Sequence, residues 1–174
     1  MSDEQMGLDL GVEVTVDERA RAWTDWIAPD RMESQIRKLV HDTLPDIEQD
    51  TPTAQWWDDD ESLKRIGTAI TERFIDKEDM VTSDNADVID QLVRFVGEHF
   101  VHFSGAQWVN QAPHRNGEPI YDSIGPAVVF PHDEEIEFPA MVLVGWFMYE
   151  GWVDIWLAAQ SYKSDVAEWK LHNK

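Results

Sequence analysis

Ile89, Leu92, Val93, Val96, Phe100 and Phe103 recur at intervals of three and four residues, the spacing that places apolar side chains on one side of an α-helix. They predict a long core-facing helix over about residues 86 to 103, closed by Gly105 as its C-cap. Earlier, Asp17 is suited to an N-cap, and Ala20, Trp23 and Ile27 follow it at i, i+3 and i+7 with Trp26 beside them. Pro29 ends that run. Asp30 opens a second helix, striped by Met32, Ile36, Leu39, Val40 and Leu44 and stopped by Pro45. The two form a helical hairpin. Leu63, Ile66, Ile70 and Phe74 mark another helix, entered through Asp58, Asp59, Asp60 and Glu61, acids that are favoured at a helix N-terminus. These acids lack the glycine and the distant glutamate of a calcium-binding EF-hand loop.

After Gly105 the period changes from helical to alternating. The segment "AQWVNQ" sets residues 106, 108 and 110 on one face and 107, 109 and 111 on the other, as a half-buried strand does. Asn116-Gly117 signals a turn. Ile120 to Ser123, Ala127 to Phe130 and Glu135 to Phe138 are further strand candidates, separated by Gly125-Pro126 and by a turn from Pro131 to Glu134. Met141 to Tyr149 is apolar almost all round, a pattern shared by buried helix and buried strand. We read it as a helix, interrupted at Gly151 and followed by a second, amphipathic helix through Trp152, Ile155, Trp156 and Ala159. The expected fold is α+β, with N-terminal helices and a long central helix packed on a small antiparallel sheet, followed by C-terminal helices. Residues 1 to 16 are read as a flexible N-terminal segment and 17 to 174 as a single domain. Its helical half covers about 17 to 103, its sheet about 104 to 138 and its C-terminal helices about 139 to 171.

A chain of 174 residues with 43% hydrophobic and 28% charged side chains suits one self-sufficient core. The absence of cysteine excludes disulfides, thiolate metal sites and a cysteine nucleophile. The acidic start "MSDEQMGLDL" does not read as a secretory signal, so a cytoplasmic location is expected. The longest apolar stretch, "PAMVLVGWFMYEGWVDIWLAA", contains Glu150 and Asp154 and is read as core rather than as a membrane span. The formal charge is −21, with 23 acids and 9 Lys or Arg in residues 1 to 87 and 12 against 5 in the remainder. Such a balance disfavours nucleic acid and anionic lipid as partners. It suits either a basic protein partner or simple solubility.

The stretch "EHFVH" raises metal chemistry. On a helical wheel with Ile89 at the origin, the apolar stripe centres near about 340°, His99 falls near about 280° and His102 near about 220°. The wheel therefore divides the two imidazoles between a core flank and its edge. The order Glu-His-x-x-His matches neither His-Glu-x-x-His nor its inverse, and a stable zinc site needs a third ligand. Asp90, Arg94, Glu98 and His102, each four apart, form instead an i, i+4 charge ladder worth roughly a few tenths of a kcal/mol per pair. No Gly-x-Ser-x-Gly, Walker or Gly-x-Gly-x-x-Gly motif is present. Thirty-five acids make carboxylate pairs undiagnostic.

The run Val96-Gly97-Glu98, then Gly105-x-x-Trp108, the turn Asn116-Gly117-Glu118-Pro119 and Pro139 before an apolar helix resembles a group of small uncharacterised bacterial α+β proteins. That group carries "GE" near a helix end and "GxxW" on the first strand. The resemblance covers about residues 86 to 162 and implies an immunity-type or accessory binding domain without an assigned activity. By position it implies that Gly97 admits close helix approach, that Glu98 hydrogen-bonds near the first strand, and that Trp108 fills the interface between helix and sheet. The acidic, Trp-rich N-terminal half departs from the pattern.

Two classes of function follow. The first is a non-catalytic binding protein without a cofactor, with an acidic face for a basic partner and Trp56, Trp57, Glu98 and Trp108 as binding residues. The second is a metal-dependent hydrolase using His99 and His102, with His114 or His132 completing the site and Glu98 as base. An aromatic pocket near Trp146, Trp152 and Trp156 is a further alternative.

Overall fold

The structure, a computed structural model, describes residues 16–43, 60–73, 83–111 and 120–173. Its order is α1 (Val16–Ile27), α2 (Pro29–Lys38), α3 (Asp60–Arg73), α4 (Ala86–His99), β1 (Gln107–Asn110), β2 (Pro126–Phe130), β3 (Asp133–Pro139) and α5 (Ala140–His172). Among the described residues, five helices pack on one antiparallel sheet of order β1-β2-β3. This is an α+β fold, as the change of period at Gly105 predicts.

At its centre lies α4. Every residue from Gln91 to Gly97 is buried, so the helix is enclosed on all sides rather than along one stripe. Leu92, Val93, Val96 and Phe100 join the core, while Phe95 meets Trp152 of α5 at 6.0 Å between ring centroids. The helix widens into a π turn over Phe100–Ser104, and Gly105 closes it at φ 77°, a left-handed conformation suited to glycine. Ser104 donates from its hydroxyl to the Ala159 carbonyl at 2.9 Å, fixing this end to α5.

The helical hairpin is present, with different caps. Asp17 sits inside the first turn of α1, and Ala28 rather than Asp30 occupies the N-cap of α2. Pro29 stands at the first helical position, where its missing N–H costs nothing. The stripe Met32, Ile36, Leu39 and Val40 is buried as expected, its last part in a π turn over Leu39–Thr43.

In the sheet, Trp108 pairs with Val128 and Val109 with Ala127, while Val128 also pairs with Phe138 across a bulge-containing β2–β3 ladder. The inward-facing Phe130 stacks on Tyr162 of α5 at 4.3 Å. The strand expected at Ile120 to Ser123 is absent: those residues form turns and bends. Gly125 takes the pairing place beyond β1. It accepts from the Gln111 amide at 2.7 Å and donates to Asn110 Oδ1 at 2.9 Å. A Cβ there would lie 2.4 Å from the Gln111 oxygen, so only glycine permits that approach.

The run from Met141 to Tyr149 is helical, and α5 breaks at Gly151, where φ is 80° and ψ 179°. That break lets Trp152 turn inward onto α3, close enough that a Cβ on Gly67 would lie 2.8 Å from the Trp152 Cβ. A Cβ on Gly151 would meet nothing within 4 Å. Its requirement is therefore backbone conformation alone. Gly151→Ala should cost about 1 to 3 kcal/mol, the range for a side chain held in such a region, read as a fall in the urea midpoint at unchanged slope.

Candidate functional site

Two rungs of the ladder predicted on α4 exist, Asp90 with Arg94 and Glu98 with His102, and the first is turned into the interior while His102 stays at the surface. Arg94 is 0% exposed. Its Nε donates to Asp90 Oδ2 at 2.8 Å, and Nη1 donates to the Trp26 carbonyl at 2.6 Å and approaches Met32 Sδ at 3.6 Å. The guanidinium lies 4.1 Å from the centroid of the Trp26 ring, within cation–π range. Trp26 is in the last turn of α1, which carries no basic residue of its own. Arg94 thus supplies from another helix both a donor to an otherwise unpaired terminal carbonyl and a cation for the negative end of the dipole.

Asp90 gathers three donors. Its Oδ1 accepts from Trp26 Nε1 at 2.7 Å and from the Tyr121 hydroxyl at 2.6 Å, and its Oδ2 takes Arg94. Burial first, and then the negative charge of Asp90, push the Tyr121 hydroxyl well above its ordinary 10.0. Tyr121 therefore stays a protonated donor to Asp90. The Trp26 ring continues the cluster, stacked on Trp23 at 5.5 Å and edge-on to Trp108 at 5.0 Å.

One turn on, Glu98 Oε1 accepts from Trp108 Nε1 at 2.7 Å, and Oε2 pairs with His102 Nε2 at 2.9 Å. Trp108 reaches over Gly97, whose hypothetical Cβ would stand 2.1 Å from the indole ring. Gly97, Glu98 and Trp108 occupy the places expected of them: close approach, hydrogen bond and interface filler. Of the residues read as binding residues, Glu98 and Trp108 are brought together and hold each other.

The two histidines part company. His99 is fully buried between Phe103 at 5.2 Å and Trp156 at 5.6 Å, both stacked, with Trp152 edge-on at 5.0 Å. His102 sits outside against Glu98. Among the described residues no group of three His, Asp or Glu is placed to hold a metal. Glu98, the proposed base, already has both oxygens engaged. In the aromatic region around Trp146, Trp152 and Trp156, Trp152 is buried, Trp146 and Trp156 are half-buried against the core, and Trp146 stacks on Phe100. Trp56, Trp57 and His114 lie outside the described residues.

Sequence reading missed Trp26, Met32 and Tyr121 as partners of the ladder. The pair Trp23 and Trp26 on one helix was a signal for an aromatic patch, but nothing local links Tyr121 to Asp90, thirty-one positions away.

Charge is distributed differently from the halves of the sequence. Together α1, α2 and α3 carry eight acids and eight Lys or Arg. The surplus of the first half therefore falls largely outside the described residues. Residues 120 to 173 carry nine acids against two lysines. No helix among the described residues is long and apolar enough to cross a membrane. Comparison with protein-family models, with curated proteins and with solved structures gives no match to this chain.

Removing one member of a buried ion pair strands the other, at roughly 3 to 5 kcal/mol, whereas replacing both by apolar groups is often neutral. Asp90→Leu should therefore destabilise by that amount, and Asp90→Leu with Arg94→Met should be more stable than Asp90→Leu alone. Urea unfolding of the single and double variants measures this; additive losses would contradict the pairing. Tyr121 gives a pH signature. Its raised pKa contributes stability that is whole below about pH 10 and declines above it, where the unfolded chain binds fewer protons than the folded one. Tyrosinate absorbance compared between wild type and Tyr121→Phe should differ only once the protein unfolds; a Tyr121 signal from folded protein near pH 10 would contradict it.

Proposed function

We propose that the chain is a cytoplasmic, non-catalytic protein-binding domain that takes a basic protein as its partner, in the manner of an immunity or inhibitor protein. The observation that supports this most is the separation of its acids into two populations. Those with the geometry for chemistry are used internally: Asp90 by Trp26, Tyr121 and Arg94, and Glu98 by Trp108 and His102. Among the described residues Asp122, Asp133, Glu137, Glu150, Asp154, Asp165 and Glu168 are exposed. Exposed like charge steers an oppositely charged protein and raises its association rate.

The chemistry of the cluster supports the same reading. A general base needs a lone pair within reach of a substrate proton, and both oxygens of each carboxylate already accept from groups within the protein. Immobilised protein challenged with native lysate at low and at high salt provides the test. We expect a basic protein retained in near-equal amount, with an association rate that falls as salt rises. Failure to retain a basic protein at either salt concentration would overturn the reading.

A further inference from the structure

The first segment of α5 buries Ala140, Leu143, Val144, Phe147 and Met148. Its other side is also apolar. Val142 is 48% exposed and Tyr149 68%, at i and i+7, and beyond the Gly151 break Val153 is 57% and Leu157 60%, at i and i+4. A helix whose outward side faces water normally carries polar residues there. From Ala140 to Tyr162 the only charged residues are Glu150 and Asp154, both exposed, and there is no lysine or arginine.

Gly145 lies on the same outward side, three residues after Val142. A Cβ on it would meet nothing within 4 Å, so among the described residues no contact requires glycine there. Within a helix, glycine is less stable than alanine. A missing side chain of this kind serves close approach from outside, as small residues do where one helix backbone meets another.

We propose that the outward side of α5 between Val142 and Leu157 docks an amphipathic helix that carries lysine or arginine along the edge of its apolar face. The inference rests on the basic-partner reading and adds the place and the shape of the contact. Val142, Tyr149, Val153 and Leu157 provide the apolar seat, Gly145 the close approach, and Glu150 and Asp154 the charge that selects a cation. A second copy of the chain is disfavoured as occupant by the −21 charge that each copy brings.

The full chain is titrated with two labelled peptides of about 18 residues, or five turns, built from leucine and lysine in equal proportion. One places its leucines at helical spacing and the other is shuffled to have no apolar face. We expect the amphipathic peptide to bind about tenfold more tightly, and Tyr149→Ser with Leu157→Ser to remove about that factor. Gly145→Gln should leave thermal stability unchanged or raised while weakening the peptide about tenfold, a split that a purely internal role for Gly145 would not produce.

Equal binding of both peptides, or binding indifferent to all three substitutions, overturns the α5 site while leaving the basic-partner reading in place. If neither peptide binds at low salt, the α5 site is overturned; if the lysate capture also fails, the basic-partner reading falls with it. Sedimentation in high salt and co-sedimentation with phosphatidylcholine vesicles cover the other occupants: a dimer abolished by Leu157→Ser, or vesicle binding abolished by it, overturns the proposal in favour of a second copy or a lipid surface.

Discussion

Withdrawing the Arg94 guanidinium from water costs several kcal/mol, roughly, and much of the helical half is arranged around that group. The Asp90 carboxylate neutralises it, the Trp26 carbonyl accepts from it, and the Trp26 ring lies against its face. Each partner is drawn from a different requirement. The carbonyl is one of the terminal acceptors that a helix leaves unpaired, the indole N–H must itself find an acceptor when buried, and Asp90 answers it. Tyr121 then completes the carboxylate from the segment before β2. One ion pair thus connects α1, α4 and the approach to the sheet, and a shift in any of them would strand a buried charge. Its value lies more in fixing that arrangement than in net stabilisation, because an apolar replacement of both partners can be equally stable.

The opposite requirement, space rather than charge, fixes the other junction. Gly97 leaves room on α4 for the Trp108 ring, and Glu98, the next residue, accepts the indole N–H of the same tryptophan. A helix residue and its neighbour therefore meet the apolar and the polar need of one side chain. On the remaining side of α4 the contacts are aromatic, with His99 enclosed by Phe103, Trp152 and Trp156. Because α4 is enclosed by polar, small and aromatic contacts on different sides, the π turn at Phe100–Ser104 and the αL cap at Gly105 mark the point where the chain leaves it.

Much of this fold was legible because periodicity is local. Ile89, Leu92, Val93 and Val96 specified the core side of α4, the alternation near Trp108 specified a strand, and Gly151 specified a break between two helices. Pairing across the chain was less legible. An i, i+4 arginine reads as a solvated ladder, and only the arrival of Trp26 and Met32 from the hairpin makes Arg94 interior. Likewise Ile120 to Ser123 has the composition of a strand, yet Gly125 occupies the pairing position beyond Asn110 and Tyr121 is drawn to Asp90. For the histidines the wheel was sufficient: it set His99 toward the core and His102 at the edge, and their environments differ accordingly.

The interior use of polar groups bears on how the surface is interpreted. A net charge of −21 says nothing by itself about where a partner sits. Once α1, α2 and α3 are seen to balance eight acids with eight bases, general solubility no longer accounts evenly for the described surface. The imbalance lies with the sheet and α5, the same part that leaves Tyr149, Val153 and Leu157 in water. Apolar exposure favours association of any kind, whereas like charge opposes self-association and selects among partners by sign. Together they restrict association more than either does alone: on the proposed reading apolar area supplies adhesion, and the surrounding acids would reserve it for a cation-bearing surface.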